Sequence, residues 1–377
     1  MNAAVATALL AWSAAAPVEA PYPVEAIVRR HAERFVEGRP QRAIVIGVTS
    51  NGRRRVWGFG GFERYGERVV PDAKTVYEIG SITKTFTGTI LADLVQSGTL
   101  RLDDPVQGLL PDDWSMPTRD DRDVSLLHLA THTSSLPRMP PGFGAFMLLT
   151  GTGDDPYSEF RDENLKVTLT QIELTRPIGS RFEYSNLGMG LLGQALARAA
   201  HQPDVDSLFA KRLLEPLALT DTTFTPTAEQ QSRLAPPFDD GTAAQTWHFD
   251  SLKACGGLRS TADDMLAYAE AAMNRKASPL RPAFKLAMEP WRQTCIDQRS
   301  IGLGWFVQPM PMPAGVPRAP ATRLVWHGGA TGGYRTFLGL MPERNSAIIV
   351  LSNSTAEIDP ALTWPVMHAL LREIGEP

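Results

Sequence analysis

The sequence is short of cysteine, has no excess of positive charge and carries no long apolar run beyond its first residues. Each shortage removes a class of function. Two cysteines in 377 residues, Cys255 and Cys295, are too few for a disulfide framework, and whether they pair is open. Neither belongs to a Cys-x-x-Cys pattern, so zinc and dithiol redox chemistry are not indicated. A net charge of −4 leaves no basic surplus to neutralise phosphates, which argues against a nucleic-acid partner. The one tight basic run, Arg53-Arg54-Arg55 after Asn51-Gly52, reads as the solvated face of a hairpin. No later stretch is long and apolar enough to span a bilayer. There is no Gly-x-Ser-x-Gly elbow, no phosphate loop and no dinucleotide fingerprint, so no cofactor is implied. His128 and His132 stand four apart, a metal-ligand spacing on a helix. No glutamate follows His128 and no third ligand is apparent, so both read as structural, His132 within reach of the rim of a site, and no metal is expected.

What is present is an ordinary globular balance, 43% hydrophobic and 21% charged, in a chain long enough for one large domain or two interleaved ones. Residues 1–20 are apolar and alanine-rich and end in small-x-small sites, Ala14-Ala15-Ala16 and Val18-Glu19-Ala20. They resemble a secretory signal peptide that lacks a basic start, which points to a periplasmic or secreted protein; alternatively the true start lies upstream. Pro23 to Gly38 has helical periodicity. Arg42 to Ser50 alternates as a strand, with Ala43, Val45 and Gly47 opposing Ile44, Ile46 and Val48. Asn51-Gly52 is a hairpin turn, and Arg55 to Gly60 returns. The middle of the chain is mostly helical by period, with helices expected at Asp121–Thr131, Asn186–Ala200 and Asp204–Leu214. A long loop is expected from Arg138 to Pro156. Short strands follow at Leu303–Val307, Thr322–Trp326, Tyr334–Met341 and Ala347–Asn353. A last helix spans Pro360 to Gly375, with Pro365 at a kink or a start. The fold class is therefore α/β (α+β): an antiparallel sheet flanked by terminal helices, plus a mostly helical inserted domain. The expected division is 21–80 with 255–377 for the sheet domain and 81–254 for the helical one.

Three clusters carry chemistry. In the first, the β-favouring run Thr75–Ile79 stops at Gly80, Ser81 follows, and the apolar-periodic helix through Phe86, Ile90, Leu91 and Leu94 begins. Ser81 thus falls at a helix N-terminus, where free N–H groups favour negative charge, and Lys84 falls one turn on, against its hydroxyl. A desolvated lysine gives up its proton more readily and activates a serine. Taken alone, the serine reads equally as a helix cap and the lysine as a solvated residue. Of the chain's lysines, only Lys84 has a serine three residues before it. The second cluster is Tyr184-Ser185-Asn186, with Asn186 a candidate N-cap of the next helix. The third is Trp326-His327-Gly328-Gly329-Ala330, whose glycines weaken a strand unless a backbone or ligand approaches closely.

In this order, Ser-x-x-Lys, Tyr-x-Asn and His-Gly-Gly resemble the class C β-lactamase and penicillin-binding DD-peptidase family of serine hydrolases. Leu102–Val106, Leu129–Pro137, Gly256–Met265 and Thr331–Asn345 look like further blocks of that family, and the resemblance spans roughly Ala26 to Gly375. It implies a β-lactamase/transpeptidase-like fold and an acyl-enzyme on Ser81, with Lys84 and Tyr184 sharing the proton work. It implies that Asn186 orients Lys84 and binds the substrate amide. The N–H groups of Ser81 and Ala330 would form the oxyanion hole, and a substrate would lie along the strand at His327, Gly328 and Gly329. Two departures stand out. Class C β-lactamases usually carry lysine where this chain has His327, and a glutamine where Arg138-Met139 follow Leu136-Pro137. Arg138 and Arg335 are the candidates for replacing the lost charge. Both departures look more like DD-peptidases and esterase-like relatives. The expected partner is a small-molecule or peptide substrate: a β-lactam, a D-alanyl peptide or, in a second reading, a short acyl ester. A non-catalytic penicillin sensor is the alternative from another class.

Overall fold

The structure is a computed structural model that describes residues 24–275, 278–310, 322–358 and 362–373. The expected signal segment lies outside the described residues. Helix α1 (Glu25–Val36) leads into the hairpin β1 (Ala43–Ser50) and β2 (Arg53–Gly60). A short strand β3 (Tyr77–Glu78) enters a 3₁₀ turn, Gly80–Ile82, and then α2 (Thr83–Gln96). The middle of the chain contributes α3 (Phe143–Thr150) and α4 (Asn186–Ala199). It returns through β4 (Arg259–Ser260) and α5 (Ala262–Ala272). The remaining strands are β5 (Arg292–Gln293), β6 (Ser300–Ile301), β7 (Phe306–Pro309), β8 (Arg323–Ala330), β9 (Arg335–Met341) and β10 (Ser346–Ser352), followed by α6 (Trp364–Glu373).

One antiparallel sheet runs in the order β2-β1-β10-β9-β8-β7-β6-β5, so the two ends of the chain meet near one edge of it, where β1 pairs with β10. The two-residue period of β1 sorts its side chains as expected. Ile44, Ile46 and Val48 join Val28, Val350, Val366 and Leu370 under the terminal helices. Ala43 and Val45 join Phe86, Met265, Leu266 and Tyr268 on the opposite face. Sandwiched between helices on both sides, β1 is buried at every position. The Asn51-Gly52 turn has positive φ at both residues, 49° and 82°, the backbone that a two-residue hairpin requires. The neighbouring arginines are not all a solvated face: Arg54 forks onto the Glu270 carboxylate of α5, tying the hairpin to the helix.

Four expectations change. The helix expected over Asp121–Thr131 is confined to Leu126–Ala130, because Asp120 and Asp121 both turn left-handed and Ser125 supplies the cap. His132 therefore lies beyond a helix end, not on it. The long loop from Arg138 to Pro156 contains α3, bracketed by left-handed glycines at 142 and 151. The strand expected at Leu303–Val307 begins only at Phe306, because Gly304 turns left-handed. Pro365 sits in the first turn of α6, where a missing N–H costs nothing. Cys255 and Cys295 are both free thiols. No helix among the described residues is long and apolar enough to cross a membrane.

The burial of β1 on both faces generates a stability prediction. Ile46 is fully buried, so Ile46→Ala should cost about 2–5 kcal/mol, read as a lower denaturant midpoint at unchanged slope.

Candidate active site

Ser81 sits in the 3₁₀ turn that opens α2, and Lys84 lies one turn further along. The lysine is fully buried. Its Nζ donates to Ser81 Oγ at 3.0 Å and also to the carbonyl oxygen of Cys255. The solvated-lysine alternative is therefore excluded. The lysine's amine is held on the serine by a backbone carbonyl from the turn before β4.

Tyr184 comes from the loop before α4. Its ring centroid lies 4.9 Å from Lys84 Nζ and 5.0 Å from the Arg138 guanidinium carbon. The block His132–Arg138 holds this loop in place. The Glu183 N–H donates to the His132 carbonyl at 2.7 Å, the Ser185 N–H to His132 Nδ1 at 3.1 Å, and the Asn186 N–H to the Arg138 carbonyl at 2.9 Å. The His132 ring packs on the Tyr184 ring with centroids 4.5 Å apart. Its imidazole is held well below the usual histidine range by burial and by the charge of Lys84. His128 binds Ser125 through Nδ1. The two histidines thus serve the local backbone separately.

Two expectations for the second cluster need correction. Ser185, not Asn186, caps α4: its hydroxyl accepts the Gly188 N–H at 2.9 Å, and its own backbone is extended as a cap requires. Asn186 makes no hydrogen bond to Lys84 here. Its Nδ2 donates to the Tyr157 hydroxyl at 3.0 Å, while its Oδ1 is buried without a partner.

The third cluster is the end of β8. Strand β7 pairs with it only as far as Phe306 opposite Trp326, so that side of residues 327–330 has no partner strand among the described residues. The other side pairs with β9 through Ala330. His327 is 2% exposed, and its Nδ1–H donates to the Gly328 carbonyl at 2.6 Å. Burial foremost, then the Lys84 charge, pushes its pKa down to about 3, so it is neutral at physiological pH. It supplies no positive charge. Gly329 is where β8 meets the serine turn: a Cβ there would lie 2.0 Å from the Ile79 carbonyl oxygen and 2.2 Å from Thr336 Oγ1. A Cβ on Gly80 would reach 2.7 Å from the Ala330 nitrogen. These two glycines let the Ser81 and Ala330 backbones lie side by side.

Ser81, Tyr184, His327, Gly328, Gly329 and Ala330 line one cavity of about 480 Å³, whose walls also include Arg138, Arg335 and the stacked pair Phe306 and Trp326. Arg335 donates to the Tyr334 carbonyl at 3.2 Å. No carboxylate among the described residues forms an ion pair with Arg138.

A family model described as Beta-lactamase matches residues 28–371. The chain belongs to the beta-lactamase family. It is 29% identical over 375 residues to the D-alanyl-D-alanine-carboxypeptidase/endopeptidase AmpH of Escherichia coli (strain K12), covering 93% of this chain and 89% of that one. It is 25% identical to a beta-lactamase of the same organism, covering 96% and 98%. Penicillin-binding protein 4 of Amycolatopsis lactamdurans is 27% identical over 76% of this chain and 74% of that one. A solved class C beta-lactamase superposes with a TM-score of 0.79 over 94% of this chain and 97% of the other, at 19% identity, a likeness of fold. The protein is accordingly a serine hydrolase of the beta-lactamase family.

Sequence reasoning missed two participants. The Cys255 carbonyl had no signal beyond lying just before a family block. Tyr157, which holds Asn186, lies past the stretch expected to be loop. His132, expected to be structural and within reach of the site rim, packs on the Tyr184 ring.

The two glycines of β8 should differ sharply. Around Gly328 a Cβ meets nothing closer than 3.7 Å, so Gly328→Ala should unfold near the wild-type denaturant midpoint. Gly329→Ala should lose about 3 kcal/mol, the upper range for overpacking.

Proposed function

We propose that Ser81 is the nucleophile of an acyl-transfer cycle on D-alanyl peptides and β-lactams. The observation that carries this reading is the 3.0 Å contact between Ser81 Oγ and the buried Lys84 amine. As Oγ bonds to the substrate carbonyl carbon, its proton passes to the Lys84–Tyr184 pair and then to the departing nitrogen. Water attacking the acyl-enzyme runs the same path in reverse. The N–H groups of Ser81 and Ala330 take the developing oxyanion, a donor of this kind being worth about 3 kcal/mol. The unpaired side of 327–330 accepts an extended substrate as an added strand. Asn186, set just behind the cavity lining, meets the substrate amide through its unpartnered Oδ1. Arg138 and Arg335 stand in for the missing lysine as the positive charge facing a substrate carboxylate. The curated relative at 29% identity is named a carboxypeptidase/endopeptidase, which favours peptide over β-lactam as the natural substrate. The N-terminal composition supports export to the periplasm or beyond.

A second reading is carboxylesterase activity on short acyl esters. It is favoured by the neutral His327 and by the Phe306–Trp326 wall, centroids 5.0 Å apart, which suit an uncharged acyl group.

Intact-protein mass spectrometry during incubation with a penicillin, beside Ser81→Ala, tests both. A lasting penicilloyl adduct on wild type alone is the expected outcome and marks a slowly deacylating peptidase. A brief adduct with drug consumption marks a β-lactamase. No adduct, with p-nitrophenyl acetate hydrolysed, marks the esterase. An adduct on Ser81→Ala overturns the nucleophile assignment.

A further inference from the structure

Three residues before Ser81, Glu78 is 3% exposed and has no part in the chemistry above. It ends β3, where it pairs in register with Arg259 of β4. The next residue, Ile79, accepts the Thr336 hydroxyl of β9 at 3.0 Å. Glu78 Oε1 accepts the Trp247 N–H at 2.8 Å and faces Arg259 Nη2 at 3.3 Å. The guanidinium, in a residue 4% exposed, also donates to the carbonyls of Phe224 and Trp247 at 2.8 and 2.9 Å. Glu78 Oε2 is buried without a partner, and so is the hydroxyl of Thr331, the residue after Ala330. Thr331 lies near enough to favour the ionised carboxyl, although the pair falls short of full hydrogen-bond geometry.

We propose that Glu78 is a positioning residue for the oxyanion hole: anchored by Arg259 and the Trp247 N–H, its carboxylate draws in the Thr331 hydroxyl and fixes the Ala330 N–H beside the Ser81 turn. The inference rests on the assignment of Ser81 and Ala330 given above. Its physical basis is that the two oxyanion donors come from distant parts of the chain. A small displacement of one relative to the other is costly in rate. A charged group shared by both segments resists that displacement.

Protonation gives the device a signature. Burial pushes the Glu78 carboxyl up to about 7, opposed by Arg259, Thr331, the Trp247 N–H and the charge of His248. The other ionisable groups around it are Tyr334 and Tyr77, phenols raised by burial and so neutral in the working range, with Arg64 beyond them. Only the ionised form balances Arg259, and it accepts the Thr331 hydroxyl more strongly than a neutral carboxyl does. Acylation should therefore fall as pH drops through about 7. For folding the sign is opposite. The pKa is raised from an ordinary 4.5, so the contribution to stability is full below that value and is lost as pH rises through 7. A merely structural contact would not set rate and stability against each other in one pH window.

The test is the rate of Ser81 acylation by p-nitrophenyl acetate from pH 5 to 9, with mass detection of the acetyl adduct. Wild type, Glu78→Gln and Thr331→Val are compared. Wild type should show a rise centred near pH 7. Glu78→Gln should lose that rise and acylate about tenfold more slowly at pH 8 with little change in KM, a decrement typical of a misplaced donor. Thr331→Val removes a group that favours the anion, so its rise should move to higher pH. Variants with the wild-type profile and the wild-type rate at pH 8 overturn the inference and leave Ser81 standing. If Glu78→Gln does not fold, the direction of the Thr331→Val shift decides. Release of p-nitrophenol by Ser81→Ala as fast as by wild type overturns the Ser81 assignment and the inference together.

Discussion

Everything at this site depends on a lysine that water cannot reach. Burying an amine is costly unless its donors find acceptors. Here the Cys255 carbonyl and the Ser81 hydroxyl serve that role. The arrangement requires the start of α2 to be pressed against the turn before β4, and the end of β8 against the same start. The sheet supplies that pressure. Strand β8 is one of its members, and the Thr336 hydroxyl of β9 holds the Ile79 carbonyl just before the serine.

Around the lysine, charge is arranged with economy. Two buried imidazoles, His132 and His327, stay neutral beside it because each is dry and faces an ammonium. Neither competes for the serine proton as a cation. Positive charge is left to Arg138 and Arg335 on the cavity wall. The buried cation beside Ser81 is thus kept apart from the cavity-wall cations Arg138 and Arg335.

Much of this was legible in the chain. The alternation in β1, the Asn51-Gly52 turn and the spacing of Ser81 and Lys84 are local signals, and local physics decides them. Two of the chemistry-bearing clusters could be named because they sit where a strand or loop meets a helix, and the third because its glycines interrupt a strand. What escaped was long-range. Nothing near Asn186 announces that its amide will find Tyr157, and nothing near Cys255 announces its carbonyl's role. The cap of α4 was misplaced by one residue because Ser185 and Asn186 are both good caps. Only the tertiary bond of the Ser185 backbone to His132 selects between them. Helix α3 was hidden by the glycines that bracket it, which look like loop residues and act as stops.

The contrast between the adjacent glycines of β8 also bears on how such an enzyme changes its diet over time. Gly329 is locked by the backbone of the serine turn, whereas Gly328, at the cavity wall, has room for a Cβ in ordinary contact with its neighbours. A lineage can therefore redress the substrate-facing rim one side chain at a time without disturbing the frame that makes the serine reactive. Novelty in substrate choice is mechanically cheap here, and novelty in the nucleophile's setting is not.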